Sequence, residues 1–328
     1  MALTEKLTNI ADAIRGKTGK TDALTLDQMA TEIAGISAGG GDIDALIDRS
    51  ITEISSNAGS IYERALAGCA ALTTASFPIA TSVGSYAFSK CSALKTINFP
   101  SATATVGTNA FEQCSALTEA RFPLATGVGN SAFNGCSLLG VADFPKAQTI
   151  NNKAFYNCTS LTNADFPEAK TVGDSAFANC PKLATINCPV ATGLNNSAFN
   201  GCKALTTVSF PAVQAVGTYV FTNCSALTVA DFSTITSIGY AAFYNCTTLA
   251  TLVLRNTEKV CTLTGDALSL TLIASGTGYI YVPSALIDTY KAATNWSTFA
   301  AQFRALEDYT VDGTTTGELD LAKMGVTL

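Results

Sequence analysis

Residues 132–167 read AFNGCSLLGVADFPKAQTINNKAFYNCTSLTNADFP. The stretch contains one pattern twice. Ala132-Phe133 returns as Ala154-Phe155, Cys136 as Cys158, Leu139 as Leu161, and Ala142-Asp143-Phe144-Pro145 as Ala164-Asp165-Phe166-Pro167, each 22 residues on. A fixed period of that size marks a repeat protein, in which each unit buries its apolar stripe only against its neighbours.

The same columns run outward in both directions. Nine of the eleven cysteines are spaced at this period, from Cys69 through Cys91, Cys114, Cys136, Cys158, Cys180, Cys202 and Cys224 to Cys246. Every step is 22 residues except one of 23 between Cys91 and Cys114, where the extra residue lies between Pro100 and Val106. Three residues before each cysteine stands Phe88, Phe111, Phe133, Phe155, Phe177, Phe199, Phe221 or Phe243, with Leu66 in the first unit. Three residues after it stands a leucine, and eight after it a phenylalanine that Cys188 and Leu254 replace once each. Proline follows from Pro78 to Pro211, and then a Val-Gly pair such as Val83-Gly84, or Ile150-Asn151 in its place.

The alternation around Ala142-Asp143-Phe144 predicts a short strand in every unit, and stacked units give a parallel ladder. Proline has no N–H for that ladder and should stop each strand. The glycine after valine is read as a turn residue. The thiol and phenyl columns are read as packing. Equivalent side chains on neighbouring coils point the same way, which is poor geometry for a disulfide. The cysteines do not form converging C-x-x-C pairs, as tetrahedral zinc would need. Cys188 is expected to be buried, and Cys261 is the cysteine expected to be exposed.

Composition agrees with a packed array. The chain has 328 residues, 48% apolar and 13% charged, with a net charge of −6 and no histidine. That excludes Ser-His-Asp and Cys-His catalysis and any imidazole metal site. The acidic balance gives no attraction to a nucleic-acid backbone, and no apolar run reaches the ~18 residues of a membrane helix. No cofactor or metal site is expected, and the chain does not read as an enzyme.

Over residues 50–255 the pattern AF-x-x-C-x-x-L-x-x-[AIV]-x-F-P resembles the BspA-like, or Treponema pallidum-type, leucine-rich repeats. The resemblance implies an α/β repeat fold: a curved solenoid with a parallel sheet on its concave face. It also implies a bacterial surface or secreted protein that adheres to a protein or cell-surface ligand.

The ends depart from the repeat. Residues 1–36 read as a small helical hairpin, with Leu3, Leu7, Ile10 and Ile14 on one face and Leu26, Met29, Ile33 and Ile36 on the other helix. The hairpin is too short to stand alone and is expected to oligomerise or dock elsewhere. The run LTNIADAIRGKTGKTDALTLDQMATEIAGI resembles N-terminal segments of phage and prophage tail-associated proteins from gut Firmicutes, which implies a host-attachment protein on a phage particle as the alternative reading. Its start has no apolar signal-peptide core, and Gly-Lys-Thr-Gly-Lys-Thr lacks the spacing of a phosphate loop. Residues 37–49 read as a linker and lead-in, with a short helix at 42–48. Residues 256–309 read as an α+β cap, with strands at 260–263 and 279–282, a helix capped by Ser284 and running to about Trp296, and more helix at 299–306. Residues 310–328 read as a mobile tail.

The candidate binding surface is the pair of positions flanking the inward residue of each strand. These are Thr74 and Ser76, Thr96 and Asn98, Glu119 and Arg121, Val141 and Asp143, Asn163 and Asp165, Thr185 and Asn187, Thr207 and Ser209, Val229 and Asp231, and Thr251 and Val253. Repeat proteins bind along such strips. Asp143 and Asp165 should be neighbours, forming an acidic spot that could attract a cation or a basic partner. The strip lacks aromatic residues. Tyr86, Tyr156, Tyr219, Tyr240 and Tyr244 lie instead near the turn leading into each phenylalanine, as candidate anchors on another face.

Overall fold

The computed structural model describes residues 49–326, which form two compact units, 49–166 and 167–326. The expected hairpin, linker and short helix before residue 49 lie outside the described residues.

Each unit is a parallel β-solenoid. In the first, Glu53–Ser55, Thr74–Ser76 and Thr96–Asn98 pair in parallel, as do Glu119–Arg121, Val141–Asp143 and Asn163–Asp165. The pairing breaks between Asn98 and Glu119, across the one 23-residue step. In the second unit Thr207–Ser209, Val229–Phe232, Thr251–Leu254, Tyr279–Val282 and Phe303–Ala305 pair in that order. Proline acts as its chemistry requires. Strands followed by Phe-Pro have three residues, whereas Val229–Phe232, followed by Ser233, and Thr251–Leu254, followed by Arg255, have four. The Arg255 N–H donates to the Phe232 carbonyl at 2.9 Å, a bond that proline cannot make.

A second parallel ladder of two-residue strands runs where the sequence predicts only turns. It contains Ser60–Ile61 and Ser82–Val83, then Gly127–Val128 and Thr149–Ile150, in the first unit. In the second unit it runs from Thr171–Val172 through Gly193–Leu194, Ala215–Val216 and Ser237–Ile238 to Thr262–Leu263. The glycine after it opens the expected turn, the Ala87 N–H donating to the Gly84 carbonyl at 3.3 Å, and it also serves close approach. A Cβ on Gly107 would lie 2.5 Å from the Gly84 carbonyl carbon, and one on Gly239 would lie 2.6 Å from that of Gly217.

Between the ladders lies an aromatic core. Phe88, Phe111, Phe133 and Phe155 stack with centroids 5.1–5.2 Å apart and planes within 7°. Phe77, Phe99, Phe122, Phe144 and Phe166 form a parallel stack at 5.2–5.8 Å that meets the first largely edge-on. Phe177, Phe199, Phe221 and Phe243 repeat the arrangement in the second unit.

The cysteines are all buried, Cys188 included. They are more than filler. The Cys136 thiol donates to the Phe111 carbonyl of the preceding coil at 3.1 Å, and Cys91, Cys114, Cys158, Cys202, Cys224 and Cys246 make the equivalent bond at 3.0–3.2 Å. Burial pushes the Cys91 thiol up to about 12 and raises those of Cys114, Cys136, Cys202 and Cys224 as well. Cys261 is also buried, against the expectation. Its N–H donates to the Tyr290 hydroxyl at 2.9 Å, and Trp296 Nε1 donates to its carbonyl at 2.6 Å.

The C-terminal cap departs from its reading in three places. Ser284 does not cap a helix: its N–H and hydroxyl donate to the Glu307 carboxylate, and the α-helix is confined to Ile287–Ala292. Residues 299–306 are not helical throughout, because Phe303–Ala305 adds a further strand to the ladder. Residues 310–326 are folded. Thr310 bridges antiparallel to Leu319, and Met324 joins Val253, Tyr281 and Leu306 in a buried cluster flanked by Leu319, Leu321 and Val326. Their sparse apolar residues, spread among Gly, Thr and Asp, hid this packing from a periodicity reading.

Candidate functional site

The strand alternation turns one residue of each three inward and two outward. Ala75, Ala120, Ala142 and Ala164 are buried, while Thr96, Asn98, Glu119, Arg121 and Asn163 are exposed and Thr74, Ser76, Asp143 and Asp165 half-buried. Register sets the neighbours: Thr74 beside Thr96, Ser76 beside Asn98, Arg121 beside Asp143, and Asp143 beside Asp165. Thr96 Oγ1 donates to Thr74 Oγ1 at 3.3 Å, and Asn98 Nδ2 to Ser76 Oγ at 3.1 Å.

Arg121 is the charged centre of this strip. It lies 2.9 Å from Glu119 and 3.4 Å from Asp143. Its hydrogen bond and charge hold the Glu119 carboxyl below the usual carboxylate range, while Glu119 raises Arg121 in turn. The Asp143–Asp165 pair therefore has a guanidinium on one side. Among the described residues no cluster of three or more His, Cys, Asp or Glu is placed to hold a metal ion.

In the second unit Thr185, Asn187, Thr207 and Ser209 are exposed. Thr185–Asn187 is not paired to Thr207–Ser209, at the coil where Cys188 replaces phenylalanine. Asp231 does not belong to an open strip. Arg255 grips it in a bidentate pair, Nε to Oδ1 at 2.8 Å and Nη2 to Oδ2 at 2.9 Å, with the side chains only 9% and 16% exposed. Arg255 Nη1 also donates to the carbonyls of Thr315 and Gly317. The 310–326 segment thus closes this end of the strip, where Thr251 and Val253 are buried outward residues.

The tyrosines divide into two sets. Tyr86 and Tyr156 are half-buried, with Arg64 5.0 Å above one ring and Lys153 5.9 Å above the other. Tyr219, Tyr240 and Tyr244 are exposed at 41%, 40% and 39%. Tyr219 meets Tyr240 edge-on at 5.5 Å, and the Tyr240 hydroxyl donates to Asp266 Oδ2 at 3.1 Å.

The family model described as the BspA type leucine rich repeat region matches residues 48–146 and 148–263, in 6 copies. The chain belongs to the BspA-type leucine-rich repeat family. Leucine-rich repeat arrays of this family are generally binding scaffolds. A search of curated proteins gives no match. Among solved structures, this BspA-type chain is similar to a leucine rich cell surface protein of Faecalibacterium prausnitzii, 25% identical over 61% of this chain and 64% of that one, TM-score 0.39. It is also similar to the T. pallidum leucine rich repeat protein, 31% identical over 33% of this chain and 52% of that one, TM-score 0.32. A leucine-rich repeat protein of Bacteroides ovatus is 19% identical over 79% of this chain and 84% of that one, TM-score 0.44. The chain spans less than two thirds of the first two.

Among the described residues no helix is long and apolar enough to cross a membrane. Two features of this BspA-type chain escaped its sequence. Arg255 stands where a proline recurs in seven other units, a deviation that could have flagged it. Asp266 lies beyond the last regular cysteine, where the period no longer places residues.

Proposed function

We propose that this BspA-type protein is a non-enzymatic recognition scaffold that binds a protein or cell-surface component through the outward residues of its three-residue strands. The open part of that surface comprises Thr74, Ser76, Thr96, Asn98, Glu119, Arg121, Asp143, Asn163 and Asp165 in the first unit and Thr185, Asn187, Thr207 and Ser209 in the second. One observation carries the reading. From coil to coil the inward columns keep their chemistry, while the outward positions from Thr74 to Ser209 change from hydroxyl to amide to charge and stay exposed or half-buried. Packing explains constant columns; a varied, exposed row is what recognition of one particular partner requires. The family supports a surface or secreted setting for it.

The test uses fluorescently labelled full-length protein on intact bacterial and epithelial cells. Saturable binding is expected, weakened about tenfold by Arg121→Glu, a loss of about 1.4 kcal/mol. Binding that survives Arg121→Glu, Asp143→Lys and Thr207→Lys together moves recognition off the strip and rejects the reading.

A further inference from the structure

We propose that Tyr219, Tyr240 and Tyr244, with Asp266, form a carbohydrate-binding platform that stacks a neutral sugar ring of a glycan. This surface is separate from the strand strip.

The rings differ from the aromatic columns of the core. The phenylalanines of both core columns are buried, whereas these three tyrosines are each about two-fifths exposed. Tyr240 is fixed in place rather than loosely draped. Its hydroxyl is tied to Asp266, Tyr219 abuts it edge-on, and its ring lies over Gly265, where a Cβ would come within 2.7 Å of Cδ2. Gly265, at φ +52°, is thus the residue that lets the ring lie against the backbone. A pre-positioned ring loses little freedom when a ligand arrives.

Tyr219 lies at a turn position with a φ of +59°. The same position has a φ between +50° and +58° in the other coils, at Arg64, Tyr86, Asn109, Ser131, Lys153, Ser175, Ser197 and Ala241, so the turn that carries the Tyr219 ring is set by the repeat. Tyr86 occupies the same turn position in its own coil but is covered by Arg64.

The chemistry selects the ligand. The electron-rich face of an aromatic ring attracts the polarised C–H face of a pyranose, and the phenol and carboxylate beside it accept hydroxyl hydrogen bonds. Asp266 places negative charge at the platform, and the chain carries −6 overall, so sugars bearing carboxylate or sulfate are repelled.

The experiment applies the full-length protein to a printed array of neutral, sialylated and sulfated oligosaccharides, then titrates the strongest neutral one calorimetrically. Neutral oligosaccharides should bind, Tyr240→Ala and Tyr244→Ala should each weaken binding at least tenfold, and Asp266→Asn severalfold. Lys203→Ala, at an exposed position outside both surfaces, should leave the affinity unchanged. Tyr244 lies outside the Tyr219–Tyr240 contact, so its variant decides the matter even if Tyr240→Ala unfolds. The proposal is overturned if no neutral oligosaccharide binds, if only anionic ones do, or if the affinity survives Tyr244→Ala and Asp266→Asn.

Discussion

At the residue scale, the tightest constraint in the repeat is a missing atom. Gly239 follows the two-residue strand Ser237–Ile238, and a Cβ there would sit 2.6 Å from the Gly217 carbonyl carbon and 2.9 Å from the Thr218 nitrogen. Both are backbone atoms of the adjoining coil, held by the ladder, and cannot swing aside as a side chain would. Gly193 belongs to the same ladder, in Gly193–Leu194, yet nothing lies within 4 Å of its would-be Cβ. Neither glycine has a left-handed φ, so the two substitutions isolate crowding from backbone freedom. Gly239→Ala should destabilise by about 1–3 kcal/mol, as overpacking does. Gly193→Ala should be neutral or stabilising by about 0.5 kcal/mol, through the less flexible unfolded chain. Urea midpoints of the two variants check this, and equal midpoints would contradict it. Asn151 and Asn195 show how the array tolerates a side chain in this column: after Asn195 the nearest atoms to a Cβ on Gly217 recede to 2.9–3.0 Å.

At the element scale, the segment 310–326 is tied to the sheet by Arg255 as well as by the Met324 cluster. Arg255 joins Asp231 to the carbonyls of Thr315 and Gly317, in a setting where both charged groups are largely buried. Removing one partner of such a pair leaves the other buried and uncompensated, at about 3 kcal/mol. Arg255→Ala should therefore lower stability by about that amount and speed amide exchange at Val311 and Asp320, whose N–H groups donate to Glu318 and Tyr309. Hydrogen exchange that leaves these amides protected in the variant would show that the Met324 cluster alone holds the segment. The elements differ in how far the sequence announces them. The three-residue strands from Thr74–Ser76 to Thr207–Ser209 fall where alternation and proline place them, because a position that recurs at every coil is a repeated measurement of one environment. The two-residue ladder was hidden because strands so short have no alternation to show, and its glycine suggested a turn. The cap was hidden for a different reason. Cys261, Trp296 and Tyr290 meet through contacts about 30 residues apart in sequence that occur once, so no period discloses them.

At the scale of the whole molecule, the thiol columns make a stability sum that no single coil displays. Cys69, Cys91, Cys114, Cys136, Cys202, Cys224 and Cys261 are all pushed up, chiefly by burial, Cys91 and Cys261 from the ordinary 9.0 to about 12. Below pH 9 these thiols carry their protons in the folded and unfolded chain alike, and their contribution is complete. Between pH 9 and 12 the unfolded chain releases protons that the folded chain keeps, so unfolding is favoured as pH rises, by about 1.4 kcal/mol per pH unit for each thiol once its unfolded form has titrated. Tyr281, raised to about 12 by burial, acts with the same sign above its ordinary 10.0. Against a typical total of about 5–15 kcal/mol, several thiols acting together should unfold the protein within roughly one to two pH units above 9. Urea midpoints at pH 8, 9.5 and 10.5 should fall steeply after the first. The double variant Cys136→Ala, Cys224→Ala should be less stable at pH 8, because the cavities and lost thiol bonds remain, yet lose stability more slowly with rising pH because two titrating groups are gone. A midpoint that holds level to pH 10.5, or a double variant with the parent's slope, would mean that the buried thiols do not set the alkaline limit of this array.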